Sequence, residues 1–247
     1  MNIKQYLDST YLKTASQSGL SETENTVLVK NAITEAITED FKLIMIRPEH
    51  VGLAKEMILK ANSSLLVGTV IDFPEGKSAL ETKSKEANKA IEDGADDLDF
   101  VCNYEAFKNG DIELVKKEIL AGTQIGLTHN KTVKWIIEVV ALDDKEIIQL
   151  SALIKNIVIS NFDEEDYASV YVKSSTGFYK THHNLPNNTT LPAIVMMLEN
   201  AAPLPVKASG GIKSYTEAIE MIRLGVKRIG TSSAKAIANG ENTTNQY

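Results

Sequence analysis

The sequence predicts an α/β protein, a single-domain (β/α)8 TIM barrel over residues 1–238, with a flexible polar tail over residues 239–247. Three observations carry this prediction. The chain has 247 residues, which is the size of one such barrel. Short β-branched runs alternate with amphipathic stretches along its length. No stretch rich in proline, glycine or serine is long enough to separate two domains.

Eight apolar segments are candidate strands. Several are apolar at both odd and even positions, as expected for strands that helices cover on one face and that pack inside a barrel on the other. No G-x-G-x-x-G follows the first segment, which disfavours a dinucleotide-binding open sheet. The candidates are Tyr6–Leu12, Phe41–Ile46, Leu65–Ile71, Asp97–Cys102, Val133–Val140, Val170–Ser174, Pro205–Ala208 and Arg228–Thr231.

Helix boundaries are marked between these strands. S-x-x-E capping boxes and acidic N-cap residues indicate starts, and glycine indicates ends. The predicted starts lie at Ser21, Ser78, Asp111, Asp143 and Ser214, with Pro192 early in a helix, and the predicted ends lie at Gly94, Gly122 and Gly225.

Composition excludes several classes of function. The formal net charge of −7 and the lack of a basic tract argue against nucleic-acid binding. The lone cysteine, Cys102, excludes an internal disulfide and a cysteine-built metal site. No apolar segment has signal-peptide or membrane-spanning length, so we expect a cytoplasmic protein without a membrane partner. No metal-ligand spacing links the four histidines, His50, His129, His182 and His183.

Four charged residues interrupt consecutive apolar strands, each separated from the next by about one strand-plus-helix unit. They are Asp99, Lys134, Lys173 and Lys207. Each has an ordinary interpretation when taken singly. A strand-end lysine can extend to solvent, Asp99 can cap a turn, and Lys134 is best interpreted singly as a strand-start lysine with Glu138 as its salt-bridge partner. Their shared period instead indicates a mixed-charge cluster inside the barrel, because buried charges are costly unless paired.

This cluster suits carbonyl chemistry through a lysine Schiff base. The nucleophile must be an unprotonated amine, whereas a free lysine has a pKa of about 10.4. Burial and a second ammonium group nearby both lower that pKa. Asp99 can then move protons during carbinolamine formation and C–C cleavage. The spacing alone leaves Lys173 and Lys207 as equal candidates for the nucleophile.

Glycines after the last two strands indicate a phosphate site. In barrels of this class the loops after strands seven and eight often bind phosphate against a short helix. Gly210 and Gly211 follow the seventh strand, and Ser232 and Ser233 follow the eighth. Lys213 can supply positive charge there. The alternative is that these glycines only form tight turns.

Six segments match a known family from Asp8 to Ser233. Two of them, with their order and spacing, are highly specific: Val172–Phe178 (VKSSTGF) and Lys207–Lys213 (KASGGIK). They resemble the Schiff-base and glycine segments of the deoxyribose-phosphate aldolase family. The other matching segments are Asp8–Lys13, Val67–Gly76, Gly94–Val101 and Lys134–Glu138.

The resemblance implies a class I aldolase that reversibly cleaves 2-deoxy-D-ribose 5-phosphate to D-glyceraldehyde 3-phosphate and acetaldehyde, in deoxyribonucleotide catabolism. It makes Lys173 the imine-forming residue, Lys207 the residue that lowers its pKa, and Asp99 the acid/base partner. It implies no metal and no organic cofactor, and we consider a homodimer as the assembly. Residues expected around the phosphate are Gly177, Gly210, Gly211, Gly230, Ser232 and Ser233.

Departures from the family pattern bear on specificity. Asp72 and Glu75 replace glycine and leucine, and two carboxylates facing the site would repel phosphate. Arg47, which replaces asparagine, would partly offset that charge. Tyr247 is a further candidate, because some relatives bring a terminal tyrosine to the site, although a tail without such a role is the simpler interpretation.

Two other functions fit the same barrel. In a phosphate-binding isomerase or decarboxylase, the lysines would only hold a substrate anion. In a sugar-phosphate-binding protein without activity, ligand would stabilise the fold without turnover. An aldolase with an altered aldehyde preference is a third alternative. Trapping an imine with borohydride distinguishes the aldolases from the others.

Overall fold

Eight parallel strands close into a barrel in chain order, β1 to β8, with β8 pairing with β1. This is a computed structural model that describes residues 2–181 and 187–241. The (β/α)8 fold is therefore confirmed. The strands are β1 Leu7–Tyr11, β2 Leu43–Ile46, β3 Leu66–Ile71, β4 Asp97–Val101, β5 Thr132–Ile136, β6 Val170–Lys173, β7 Val206–Ser209 and β8 Arg228–Thr231.

Helices surround the barrel. Short 3-10 turns occur at Ile3–Tyr6, Pro48–His50, Val139–Ala141 and Glu164–Ser169. The α-helices are α1 Ala15–Ser18, α2 Glu22–Thr38, α3 Val51–Lys60, α4 Leu80–Glu92, α5 Tyr104–Lys108, α6 Ile112–Thr128, α7 Asp144–Asn161, α8 Leu191–Ala201, α9 Tyr215–Leu224 and α10 Ala234–Ala238. Within the described parts of the chain, no helix is both long and apolar enough to cross a membrane.

Each predicted strand overlaps an observed one, with ends that differ by at most two residues except at the end of β5. The prediction extended this strand to Val140, but it ends at Ile136. The apolar run continues, yet Glu138 has a left-handed backbone (φ 57°) and the next residues form a 3-10 turn. Hydrophobicity alone does not show where a backbone leaves the extended conformation.

Most predicted helix starts are confirmed. Ser21, Asp143 and Ser214 each form a capping box, and Asp111 caps α6. The prediction at Ser78 was wrong. Its hydroxyl donates to the carboxylate of Asp72 instead, and α4 begins at Leu80 without a side-chain cap.

Gly122 does not end a helix, contrary to prediction. It lies inside α6, where a Cβ would come within 2.8 Å of the Trp135 ring. Trp135 stacks on Phe100 with ring centroids 4.9 Å apart, and both rings are buried between the barrel and its helices. Burying a large apolar side chain contributes about 1.5–3 kcal/mol. The glycine therefore provides space for the indole ring.

The barrel interior has an apolar half and a charged half. Register partners on adjacent strands point to the same face, so Val70 of β3 shares the interior with Asp99 of β4. Leu43 and Met45 fill the apolar half beside Gly68, where a Cβ would lie 2.6 Å from the Met45 methyl group. The charged half, on β4 to β8, contains the predicted cluster.

The chain beyond α10 is described only as far as Glu241. The carbonyl of Glu241 accepts a hydrogen bond from the backbone N–H of Tyr215 at 3.1 Å. The rest of the predicted tail, including Tyr247, lies outside the described residues, as do His182 and His183.

Candidate active site

The four charged residues with a common period all lie inside the barrel. Asp99 and Lys134 are register partners on β4 and β5, and Lys173 and Lys207 are register partners on β6 and β7. Each is at most 3% exposed. The sequence period therefore correctly predicted one shared cluster.

Asp99 lies at the centre of this cluster. Its Oδ2 atom accepts hydrogen bonds from Lys173 Nζ at 2.8 Å and from Lys207 Nζ at 2.9 Å. Its Oδ1 atom accepts one from Lys134 Nζ at 2.8 Å. The two candidate nucleophiles thus lie within two hydrogen-bond lengths of each other. A single carboxylate bridges all three amines.

The single-residue interpretation of Lys134 was wrong. Its ammonium group is fully buried and donates to Asp97 Oδ2 at 2.6 Å as well as to Asp99. Glu138 is not its salt-bridge partner, since one oxygen of Glu138 accepts hydrogen bonds from Thr176 instead. Burial opposes the charge of Lys134, but the two aspartates raise its pKa above the ordinary value.

Sequence reasoning missed a second set of charges that contacts the lysines. Asp8 of β1 pairs with Lys207 Nζ at 2.6 Å and accepts from Arg228 Nε at 2.7 Å. Arg228 also approaches Asp97 at 3.5 Å. Charged residues in strand segments were the available signal, but Asp8 and Arg228 lie at opposite ends of the chain and meet only because the barrel closes.

Charge pairing distinguishes Lys173 from the other cations of the described cluster. Lys134, Lys207 and Arg228 each contact two aspartates. Lys173 contacts only Asp99, through an oxygen that it shares with Lys207. Three carboxylates balance the other three cations, so the arrangement favours a neutral amine at Lys173.

The pKa values agree with this pairing. Burial lowers the pKa of Lys173 to about 8; the positive charges of Lys207 and Lys134 add to this effect, and Asp99 opposes it. Burial alone would raise the pKa of Asp99, but the three surrounding lysines bring it well below its ordinary value. Lys173 therefore loses its proton at a lower pH than an ordinary lysine does, beside a carboxylate that stays ionised.

Glycine turns lie at the end of the barrel beyond Lys173. Gly177, Gly210 and Gly211 have φ angles of 77°, 95° and 78°, which favour glycine. A Cβ on Gly177 would meet the Gly210 backbone at 3.8 Å, and a Cβ on Gly211 would overlap Asn188. The two turns thus lie against each other, with Gly177 exposed and Gly210 and Gly211 partly exposed.

The other predicted phosphate-binding residues are arranged differently. Gly230 lies within β8, where a Cβ would lie 3.1 Å from the Lys207 side chain, so it makes room for that lysine. Ser232 is exposed, and Ser233 precedes α10 with its N–H donating to Thr231. The Lys213 N–H donates to Glu217 at the start of α9.

The two unusual carboxylates near β3 are both paired. The carboxylate of Asp72 accepts hydrogen bonds from Ser78 and lies 3.5 Å from Lys83, and Glu75 is an exposed partner of Lys77. Each of the two carboxylates therefore has a lysine nearby.

Arg47 contacts neither of those carboxylates. Its Nε donates to the carbonyl of Leu12 at 2.8 Å, and its guanidinium lies over the Phe73 ring. Phe73 in turn contacts Phe178 edge to face, with ring centroids 5.1 Å apart. The Arg47 guanidinium therefore packs against the Phe73–Phe178 ring pair, next to the Gly177 turn.

A buried lysine with a lowered pKa, held beside an aspartate and a second lysine inside a (β/α)8 barrel, is the arrangement expected of a barrel enzyme that attacks carbonyl compounds through an amine. The family model described as DeoC/LacD family aldolase matches residues 7–241, and the chain belongs to this family.

Named relatives cover nearly the whole chain. A deoxyribose-phosphate aldolase of Thermococcus gammatolerans is 35% identical over 97% of this chain and 96% of that protein. Deoxyribose-phosphate aldolase 1 of Staphylococcus aureus strain MSSA476 is 34% identical over 100% of both chains.

Solved structures show the same architecture. The structure described as QR15, an aldolase, has a TM-score of 0.80 with 30% identity, covering 97% of this chain and 95% of that chain. A tetrameric deoxyribose phosphate aldolase from Aeropyrum pernix has a TM-score of 0.75 with 26% identity, covering 96% of this chain and 89% of that chain.

Proposed function

We propose that this protein is a class I aldolase that reversibly cleaves 2-deoxy-D-ribose 5-phosphate to D-glyceraldehyde 3-phosphate and acetaldehyde. The observation that carries this proposal is the pairing of Lys173. Lys173 contacts one carboxylate, Asp99, which it shares with Lys207. Each other cation of the described cluster contacts two carboxylates. Membership of the DeoC/LacD aldolases and the names of the relatives support the same substrate.

Catalysis begins with the neutral amine of Lys173. It adds to the aldehyde carbon of the open-chain sugar, and loss of water from the carbinolamine forms a protonated imine. The C2–C3 bond then breaks as a base removes the proton of the C3 hydroxyl. Glyceraldehyde 3-phosphate leaves, and the electron pair remains on the acetaldehyde fragment as an enamine. Protonation of that carbon and hydrolysis of the imine release acetaldehyde and restore the amine.

Asp99 and Lys207 move the protons in these steps. Lys207 pairs with Asp8 and Asp99, at 2.6 and 2.9 Å, and can donate a proton beside Lys173. Asp99 contacts both amines through one oxygen and can pass a proton between them, directly or through a water molecule. Lys134 fixes the other oxygen of Asp99 and thereby its orientation.

The phosphate of the substrate binds at the glycine turns. Gly177, Gly210 and Gly211 bring backbone close to it. Ser232 and Ser233 supply hydroxyl groups from the segment after β8, and Lys213 supplies charge from the segment after β7. Gly230 contributes indirectly, because the absence of a Cβ there leaves space for the Lys207 side chain.

The test is formation of glyceraldehyde 3-phosphate from deoxyribose 5-phosphate, measured beside unphosphorylated deoxyribose. The wild-type protein should prefer the phosphorylated sugar, and Lys173→Leu should abolish product formation. Lys131→Leu, a change in the loop before β5, is the matched control and should retain activity. If the wild-type protein turned over neither sugar, the proposed activity would be overturned.

We further propose a homodimer that works in the cytoplasm. The tetrameric relative from Aeropyrum pernix supports self-association of this fold. Light scattering coupled to size exclusion, over a range of protein concentrations, measures the assembly directly. A monomer at all concentrations would contradict the proposal, and a tetramer would correct its stoichiometry.

A further inference from the structure

Glu138 is a buried carboxyl group that the mechanism above does not use. It follows β5 and is 1% exposed. Its left-handed backbone is rare for a residue other than glycine, and such strain concentrates at functional sites. The N–H groups of its neighbours, Ile137 and Val139, donate to the carbonyls of Lys173 and Ser174. Glu138 is thus joined to the end of the strand that carries the proposed nucleophile.

One oxygen of Glu138 holds the turn that follows Lys173. Oε2 accepts hydrogen bonds from the Thr176 backbone N–H, at 3.0 Å, and from the Thr176 hydroxyl. The Thr176 hydroxyl oxygen accepts the Phe178 N–H at 3.0 Å. The two contacts span Gly177, so Glu138 and Thr176 together define the conformation of the turn proposed to bind phosphate.

The second oxygen of Glu138 accepts no hydrogen bond from the protein residues that the structure describes. An unsatisfied buried oxygen is unfavourable, and a side chain retained only for stability would normally have both oxygens bonded. Burial raises the pKa of Glu138, whereas the hydrogen bonds from Thr176 and the positive charge of Lys173 lower it.

We propose that Glu138 is a positioning residue for the phosphate end of the substrate, acting through Thr176 on the Gly177 turn. The inference rests on the proposed aldolase function and extends it. The turn faces Gly210 and lies beyond Lys173, on the phosphate side of the site. Loss of Glu138 therefore weakens binding of a phosphorylated substrate and leaves the amine chemistry of Lys173 intact.

The experiment measures kcat and KM for deoxyribose 5-phosphate and for unphosphorylated deoxyribose. In Glu138→Ala the ratio of the two kcat/KM values should fall by about tenfold or more, mainly through a higher KM for the phosphorylated sugar. Glu138→Gln keeps an acceptor for Thr176 and should stay within about threefold of wild type. Borohydride trapping of acetaldehyde on Lys173 should persist in both variants.

Glu86 provides a matched control. Its carboxylate accepts the backbone N–H of Asp72 at 2.8 Å, so it anchors the segment after β3 as Glu138 anchors the one after β6. Burial raises its pKa as well. Glu86→Ala should leave the phosphate preference unchanged.

Thr176→Val tests the same link if Glu138→Ala does not fold. It removes the hydroxyl that joins Glu138 to Phe178, keeps the side-chain volume, and should also reduce the phosphate preference. An unchanged ratio in a folded Glu138→Ala or Thr176→Val protein overturns the inference, and so does an equal loss with both sugars. A wild-type protein inactive with both sugars overturns the proposed function itself, and this inference with it.

Discussion

Lys173 and Lys207 are register partners on adjacent strands, and their Nζ atoms share one oxygen of Asp99. They differ in their other contacts. Lys207 also pairs with Asp8, whereas Asp99 is the carboxylate that pairs with Lys173 within the described cluster. Two amines in nearly the same place therefore differ in their charge pairing, because Lys207 has an additional carboxylate and Lys173 does not within the described cluster.

The pH dependence of activity should show the lowered pKa of Lys173. Only the neutral amine attacks, and the pKa of about 8 means that its fraction rises with pH up to that value. We expect kcat/KM for deoxyribose 5-phosphate to increase about tenfold per pH unit below about pH 8 and to level off above it. If activity instead kept rising up to about pH 10, as for an ordinary lysine, the lowered pKa of Lys173 would be contradicted.

Lys207→Leu should lower activity by raising the pKa of Lys173. Removal of the neighbouring positive charge favours protonation of Lys173, and Asp99 loses one of its competing partners. A return of the pKa from about 8 to about 10.4 would reduce the neutral fraction near pH 7 by about 200-fold. The acid limb of the pH–rate profile should move to higher pH. Lys227→Leu, at an exposed lysine before β8, is the control. An unchanged rate and pH profile in Lys207→Leu would refute the proposal that Lys207 lowers the pKa of Lys173.

Arg228→Met should destabilise the fold severely. Asp8 is fully buried and would lose the guanidinium contact at 2.7 Å, with Lys207 left as its partner. Removing one member of a buried ion pair costs about 3–5 kcal/mol. Lys235→Met removes a cation from a half-exposed pair and should cost less than about 1 kcal/mol. Denaturant unfolding of both variants makes the comparison, and equal free energies of unfolding would contradict the buried network.

Gly122→Ala and Gly52→Ala should have opposite effects on stability. Both glycines lie in helices. A Cβ at position 122 would meet the Trp135 ring at 2.8 Å, whereas one at position 52 would have no neighbour within 4 Å. We expect Gly122→Ala to destabilise by about 1–3 kcal/mol and Gly52→Ala to stabilise by about 0.5–1 kcal/mol. Thermal and denaturant unfolding measure both, and a neutral Gly122→Ala would show that the indole ring can shift.

The sequence predicted the fold because strand and helix periods agree with capping signals over the whole chain. The prediction failed where the backbone leaves the extended conformation inside an apolar run, as at Glu138, after which a 3-10 turn begins. It also failed at Ser78, since the nearby carboxylate of Asp72 offers its hydroxyl a better partner than the helix end does.

The lysines of the site were predictable because each interrupts an apolar strand at a regular interval. Asp97 is two residues from Asp99 and shares its face, a parity signal that was available. The Asp8–Arg228 pair was not predictable from spacing, because it joins the first strand to the last and exists only after the barrel closes. The pairing of these charges, which distinguishes Lys173 from the other cations of the described cluster, could be seen only in the folded structure.

Reductive trapping tests the central claim most directly. Incubation with acetaldehyde and sodium borohydride, followed by peptide mass mapping, identifies the amine that forms the imine. The lowered pKa of Lys173 and its single shared carboxylate predict one stable adduct, on Lys173, and none in Lys173→Leu. An adduct on Lys207 instead, or no adduct on either residue, would contradict the account.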